Sequence, residues 1–261
     1  MTQPNLNSHI PLTPMVDCQQ TLRLTEIFYS LQGEALASGQ PTIFIRLTGC
    51  PLRCVYCDTT YSFKGGERWS LQQILVHIKQ YPCKRVCITG GEPMAQKNVI
   101  ALMQLLLDNG YEISLETAGA LSLADVPKPV SKVMDLKTPS SGETAKNHWQ
   151  NLNYLTQHDQ IKLVICNLSD YKWAKQKVIE HDLTNKVAAV WFSPMFNIHS
   201  NQVEHQSDIN TTKQTKNHIN HTPSPVPNLA TNLAEWILAD GIDVRLQLQL
   251  HKIIWADAKG K

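Results

Sequence analysis

Thr42-Ile-Phe-Ile-Arg-Leu47 runs without a break into Thr48-Gly-Cys50-Pro-Leu-Arg-Cys54-Val-Tyr-Cys57-Asp-Thr59. The first six residues are short, β-rich and bounded by turn residues, the pattern of a buried strand. The loop that follows carries three thiols at C-x3-C-x2-C spacing. One loop of that kind can wrap three thiolates around three irons of a cubane, and thiolates are the natural ligands of iron–sulfur clusters. A fully ligated 4Fe–4S cluster usually takes four cysteines. Three from the loop leave the fourth iron open to an outside ligand.

Two other readings of these cysteines stand beside that one. A structural zinc site would need a fourth Cys or His and usually pairs two knuckles. Cys83 and Cys87 sit at x3 spacing on a turn and a buried strand, so at most one of them is free to help. Three inert thiols are the other reading, and the dense spacing speaks against it. Cys18, Cys83, Cys87 and Cys166 read as ordinary thiols, with Cys87 and Cys166 expected in the core.

Outward from the loop, the chain alternates strand and helix. Upstream, Thr21–Tyr29 alternates as a strand and Ser30–Gln40 reads as a loop, after a loose leader over residues 1–20. Downstream, Ser70 caps a helix with Gln73 three residues on, a capping box, and Leu71, Ile74, Leu75 and Ile78 form its apolar face. Arg85–Thr89 is the next strand, ending at Gly90-Gly91, where paired glycines let backbone approach a ligand closely. Gln96–Asn109 reads as a helix stopped by Gly110. Tyr111–Glu116, Lys132–Leu136, Lys162–Ile165 and Val187–Phe192 read as strands, with Ser169 capping the helix between the last two. Leu229–Asp240 reads as a helix and Val244–Leu250 as a final strand. Residues 197–227 hold almost no apolar side chains and are expected to be a mobile polar insertion; a solvated linker accounts for His199, His205, His218 and His221.

This β/α alternation predicts a single α/β domain over 1–261. Its core is a partial or modified (β/α)6 TIM-like barrel of about six parallel strands with helices outside. In such folds chemistry gathers at the C-terminal ends of the strands. Cys50, Thr89–Glu92, Glu116, Lys137, Ser193 and His251 fall there.

The 261 residues are 42% hydrophobic with a formal net charge of +2. That allows a sizeable core and shows no basic stripe of the kind a nucleic-acid binder carries. No apolar run approaches the roughly 18–20 residues needed to cross a bilayer, and the polar N-terminus lacks the basic and apolar regions of a secretory signal. A cytoplasmic, reducing setting is expected, where the seven cysteines serve as ligands or buried thiols.

The cysteine loop, with the aromatic Tyr56 before its third cysteine, resembles the radical S-adenosylmethionine (SAM) superfamily. Thr89-Gly-Gly-Glu-Pro93 resembles that family's GGEP motif. The resemblance implies a 4Fe–4S cluster on Cys50, Cys54 and Cys57. SAM would chelate the open iron, and its reduction would give a 5′-deoxyadenosyl radical.

Further segments narrow the likeness: Ser30-Leu-Gln-Gly-Glu34, Cys57-Asp-Thr59, Glu116-Thr-Ala-Gly119, Asp135-Leu-Lys137 and Arg245-Leu-Gln-Leu-Gln-Leu-His-Lys252. From about residue 22 to 255 the chain resembles the 7-carboxy-7-deazaguanine synthase family. The S-x-QGE and Q-x-HK segments discriminate most. That family converts 6-carboxy-5,6,7,8-tetrahydropterin with loss of ammonia, using Mg2+. The likeness implies substrate contacts at Leu31, Gln32, Gly33, Glu34, Arg46, Thr89, Gln249 and His251. It implies SAM contacts at Tyr56, Cys57, Asp58, Gly91, Glu92, Glu116, Asp135, Lys137 and Ser193, and Mg2+ on Thr59. No catalytic residue is assigned beyond the SAM radical. A homodimer and a flavodoxin-type reductant are family expectations. Ala35 stands where the family pattern has glycine. The nearest rival is a glycyl-radical activase, which would not need the Gln-Gly-Glu or Gln-x-His-Lys segments.

Overall fold

A computed structural model describes residues 16–195, 228–256, 258 and 260. The expected insertion at 197–227 therefore lies outside the described residues, as do residues 1–15 of the leader.

The strands are β1 (Thr21–Leu31), β2 (Pro41–Leu47), β3 (Glu67–Ser70), β4 (Arg85–Gly90), β5 (Glu112–Thr117), β6 (Ser131–Asp135), β7 (Gln160–Ile165), β8 (Ala189–Pro194) and β9 (Arg245–Leu246). They form one sheet in the order β3-β1-β2-β4-β5-β6-β7-β8-β9. From β2 to β9 every pair is parallel, while β1 runs antiparallel to both β2 and β3. The outermost strands β3 and β9 are not paired to each other, so the sheet is a partial barrel.

The α-helices are α1 (Leu71–Ile78), α2 (Val99–Asp108), α3 (Leu168–Glu180), α4 (Leu183–Lys186), α5 (Asn228–Asp240) and α6 (Leu250–Trp255). Period-two alternation sorts the strand side chains. Ile43, Ile45, Val86, Ile88, Ile113, Leu115, Ile161, Leu163, Ile165, Val190 and Phe192 join the core with Leu71, Ile74, Ile78, Leu102, Met103, Leu106, Ala174 and Leu233 of the helices. Full burial of each large aliphatic side chain contributes about 1.5–3 kcal/mol. The other parity, including Phe44, Arg46, Thr89, Glu116, Val133, Asp135, Lys162, Val164 and Ser193, faces the interior of the barrel. Register places Arg46 beside Thr89, Asp135 beside Lys162 and Val164 beside Ser193.

The expected capping box is present: Gln73 N–H donates to Ser70 Oγ (3.1 Å) and Ser70 N–H to Gln73 Oε1 (2.7 Å). Several expectations need correction. The chain is tied down before residue 21, because Leu71 N–H donates to Gln20 O (2.9 Å) and Val16 and Cys18 pack against the core. β3 was not foreseen; four residues pairing with the start of β1 are too short for a periodicity signal.

The second helix starts at Val99, not Gln96. Pro93–Ala95 first makes a 3-10 turn, and the Gln96 side chain is engaged by Arg23 N–H (2.8 Å) while donating to Thr48 O (2.9 Å). The cap of α3 is Asn167, whose side chain accepts from Asp170 N–H (3.0 Å), and Ser169 lies inside the helix. Cys87 is fully buried but Cys166 is only partly so. The final strand stops at Leu246, and Gln249 caps a helix that contains His251.

Candidate active site

The site begins with the loop after β2. Gly49 N–H donates to Ser62 O (2.8 Å), Arg53 N–H to Glu143 Oε1 (2.6 Å) and Val55 N–H to Ser141 O (3.0 Å). The loop is thereby pinned to the segments after itself and after β6. Its three cysteines are unpaired and half-buried and line one cavity. Burial pushes the Cys50 and Cys54 thiols above their ordinary value, and Lys137 pulls the other way.

Among the described residues no three His, Cys, Asp or Glu side chains converge as ligands for a single metal ion. Three thiols from one short loop, all facing one cavity, are the donor chemistry that an iron–sulfur cluster uses. The turn after β4 is built against the same loop. A Cβ on Gly91 would lie 2.3 Å from Gly49 O and 2.8 Å from Cys50 Cβ. Only glycine allows that approach.

The cavity has a volume of about 840 Å³. It gathers every residue the sequence singled out except Glu92. Glu92 is fully buried, and its carboxylate is engaged within the protein. It accepts from Met94 N–H (2.9 Å), Ala118 N–H (2.7 Å) and Thr117 Oγ1 (2.9 Å). Its side chain braces the Gly-Gly turn against the end of β5 and does not reach the cavity.

The cavity that the cysteines line is also lined by Tyr56, Asp58, Thr59, Asp135, Lys137 and Ser193. Lys137 Nζ pairs with Asp135 Oδ2 (3.0 Å), which leaves Asp135 Oδ1 buried without a partner among the described residues. An orphaned buried carboxylate oxygen is costly, and it fits a site that receives a polar ligand such as SAM. Burial and the neighbouring Asp135 hold the Tyr56 phenol well above its ordinary value. Ser193 Oγ donates to Gln247 O (3.1 Å). Thr59 Oγ1 lies 3.7 Å from Cys57 Sγ.

A second group of polar side chains lies among the inward-facing residues. Arg46 Nε donates to Glu26 Oε1 (2.7 Å), with the Phe28 and Tyr61 rings beside its guanidinium. Arg46 thus makes an ion pair and also lines the cavity. Glu116 accepts from Gln32 Nε2 (3.2 Å) and Thr89 Oγ1 (2.9 Å). Glu116, expected at SAM, is thus hydrogen-bonded to Gln32 and Thr89, two residues expected at the substrate.

Glu34 accepts from Lys162 Nζ, Gln247 Nε2 (3.1 Å) and Gln249 Nε2 (2.8 Å). Burial alone would raise its pKa; Lys162, Gln249 and His251 together hold it below the ordinary carboxylate value. Ala35 has φ +62°, and its N–H donates to Gln247 Oε1 (2.6 Å). Leu250 N–H donates to Gly33 O (3.0 Å). The loop after β1 and the turn before α6 therefore close against each other. This is why the chain leaves the sheet at Leu246: the side chains of Gln247 and Gln249 turn to Glu34.

Sequence reasoning missed Lys162, Glu26 and Gln247. A signal existed for Lys162, a lysine at an inward position of a strand otherwise read as buried. Glu26 and Gln247 looked like ordinary polar alternation.

Comparison with known proteins agrees with this geometry. The radical SAM superfamily model matches residues 44–136. The 7-carboxy-7-deazaguanine synthase of Koribacter versatilis is 41% identical over 92% of this chain and 100% of its own length. That of Chlorobaculum tepidum is 35% identical over 92% of this chain and 97% of its own. Among solved structures, QueE from Escherichia coli superposes with a TM-score of 0.65 at 22% identity, covering 88% of this chain and 95% of that one. SuiB from Streptococcus suis gives 0.52 at 15%, covering 80% and 48%. These two likenesses concern the fold. With the cysteine loop, the glycine turn and the Glu34 network around one cavity, and relatives this similar over nearly their whole length, the chain belongs to the radical SAM superfamily and, within it, to the 7-carboxy-7-deazaguanine synthase family.

Proposed function

We propose that this chain contracts the ring of 6-carboxy-5,6,7,8-tetrahydropterin to 7-carboxy-7-deazaguanine, with release of ammonia, on the route to the queuosine base. One observation carries the reading. A single cavity joins the three thiols of the cysteine loop to Gln32–Glu34 and to Gln249 and His251, the segments that set this family apart from other radical SAM enzymes.

When bound, the cluster and SAM supply a 5′-deoxyadenosyl radical, and the chain's own residues supply position and exclusion. Cys50, Cys54 and Cys57 would hold the cluster, on a loop that packs closely against the bare backbone of Gly91. Tyr56, Asp58, Asp135, Lys137 and Ser193 hold SAM. Arg46, steadied by Glu26, offers its guanidinium to the substrate carboxylate, a pairing that suits its planar fork.

Gln32, Glu34, Thr89 and Glu116 offer amide, hydroxyl and carboxylate groups to the donor and acceptor edge of the pterin. The backbone of Leu31 and Gly33 and the side chains of Gln249 and His251 close the wall. Phe28, Phe44, Leu52, Val133 and Val164 add apolar surface to the lining.

Thr59 would give Mg2+ one hydroxyl ligand. Mg2+ commonly keeps several waters and takes substrate oxygens, so a single protein ligand is compatible with its chemistry. A flavodoxin-type reductant, a homodimer and a cytoplasmic setting complete the reading on the strength of the family. Among the described residues no helix is long and apolar enough to cross a membrane.

The test is an anaerobic assay of the reconstituted protein with SAM, dithionite, Mg2+ and 6-carboxytetrahydropterin, followed by mass spectrometry. The expected result is 7-carboxy-7-deazaguanine, lost in Cys54→Ala. Release of 5′-deoxyadenosine without that product would sink the substrate assignment.

A further inference from the structure

Strand β7 reads Gln160-Ile-Lys-Leu-Val-Ile165. Ile161, Leu163 and Ile165 face the helices and are fully buried, while Lys162 and Val164 line the cavity. A lysine at the inward position of a central strand is costly unless its charge is met. Here it is met by Glu34: Lys162 Nζ bonds Glu34 Oε2, and the two side chains are 15% and 12% exposed.

The charges of the interior fall into pairs. Arg46 has Glu26, Lys137 has Asp135 and Lys162 has Glu34, while Glu116 is held by the neutral donors Gln32 and Thr89. Lys162 is thus the cation bonded to the one carboxylate that also gathers Gln247 and Gln249.

We propose that Lys162 is a positioning residue of this site: from the centre of β7 it fixes the Glu34 carboxylate in the cavity wall, where Glu34 meets N–H groups of the substrate. The inference rests on the function proposed above for its substrate and on the geometry of the pair for the rest. Two consequences follow from elementary electrostatics. Removing the cation leaves Glu34 among Gln247, Gln249 and His251, while Asp135 and Glu116, which also act on Lys162, lose its charge too. Burial then governs the carboxyl and pushes it up. Glu34 then keeps its proton to higher pH than in the wild type and, once neutral, can no longer serve as a two-site acceptor.

The test compares wild type, Lys162→Met, Glu34→Gln and the double variant in two ways. The first is KM and kcat for the pterin against pH. In Lys162→Met, kcat/KM falls roughly tenfold to a hundredfold, the scale of a lost charged hydrogen bond, mainly through KM. It recovers in part as pH rises, a slope absent from wild type and from both proteins carrying Glu34→Gln.

The second is unfolding of the protein without substrate across the same pH range. With Glu34 raised in Lys162→Met, its stability relative to wild type falls as pH rises through the new Glu34 pKa. The double variant does not show that fall. If Lys162→Met does not fold, Lys162→Gln is read in the same way. Kinetics within twofold of wild type at every pH, or a stability gap that the Glu34→Gln change leaves intact, would overturn the proposal. Failure of the wild type to convert the pterin would instead strike the proposed function, and the unfolding arm would still decide whether Lys162 sets the charge of Glu34.

Discussion

His251 lies so close against Gly33 that a Cβ placed on the glycine would meet its Nδ1 at 2.1 Å and its backbone N at 3.0 Å. Gly33 O also accepts from Leu250 N–H, so the glycine is where α6 docks onto the loop after β1. Gly33→Ala must push the imidazole out of the cavity wall and strain the turn before α6. Overpacking of this kind costs about 1–3 kcal/mol. The expected outcome is a KM for the pterin raised roughly tenfold with a lowered melting temperature. SAM affinity, which in the proposed assignment rests on Tyr56, Asp58, Asp135, Lys137 and Ser193, should change little. Equal loss of SAM and pterin binding would count against this division of the site.

Arg46 and Glu26 make a second testable pair. Their side chains are mostly buried, at 15% and 21% exposure, and Glu26 also accepts from Tyr61 Oη (2.9 Å). Glu26→Ala leaves the guanidinium beside two aromatic rings without its carboxylate. Breaking a fully buried pair costs about 3–5 kcal/mol; partial exposure reduces this to roughly 1–3 kcal/mol. The variant should melt lower and bind the pterin more weakly. Arg46→Met with Glu26→Met should recover stability but not binding. Recovery of both would show that the pair is structural only.

The seven cysteines divide by position. Cys50, Cys54 and Cys57 face the cavity. Cys87 is buried in β4, and the Cys83 thiol donates to Pro41 O (3.1 Å). Serine at Cys50, Cys54 or Cys57 should abolish the broad band near 400 nm of the reconstituted protein, a region where iron–sulfur charge transfer absorbs. Serine at Cys18, Cys83 or Cys166 should leave it. Loss of the band in any of these three would break the three-ligand assignment.

The expectation of glycine at position 35 has a physical basis in the fold. Ala35 adopts a left-handed backbone with φ +62° and is 6% exposed. A left-handed L-residue costs roughly 1–2 kcal/mol. Ala35→Gly removes that strain but adds unfolded-chain entropy of about 0.5–1 kcal/mol, so the net change should be a small gain or none. Ala35→Val adds β-branched bulk at a positive φ and should cost at least about 2 kcal/mol. Thermal unfolding of both checks the sign. Destabilisation by glycine would mean that the alanine methyl contributes packing that outweighs its strain.

What the sequence revealed, and what it hid, follows from how local each signal is. The cysteine loop, the glycine turn and the capping box are each written in a few consecutive residues, and each is found in place. So are the parallel strands, whose apolar runs record burial on both faces. Partnerships across the barrel leave no such local trace. Glu92 and Glu116 look alike in sequence, yet one braces a turn and the other faces the cavity, because Glu92 lies in the turn after β4 and Glu116 at an inward position of β5.

Gln247 and Gln249 alternate with leucines and so read as strand. Their side chains are instead drawn to Glu34, more than two hundred residues earlier. Lys162 was hidden for the same reason, since its partner is 128 residues away.

The pH response of the fold should carry the mark of His251. Burial lowers its pKa below the ordinary histidine value of about 6.5, more than Glu34, Asp58 and Glu116 raise it, and Lys252 lowers it further. The folded protein therefore takes up this proton at lower pH than the unfolded chain does. Between the two values the unfolded state holds more protons, so stability falls as pH drops below about 6.5 and is fully present above it. Protonation would also add a cation beside the Lys162–Glu34 pair and loosen the turn against Gly33. His251→Gln keeps a polar side chain of similar reach and cannot titrate. Its melting temperature should track wild type above neutrality and fall less steeply in mildly acidic buffer. If the two curves stay parallel between about pH 5.5 and 7.5, His251 is not held neutral by its burial, and another group must be sought for any acid sensitivity of the fold.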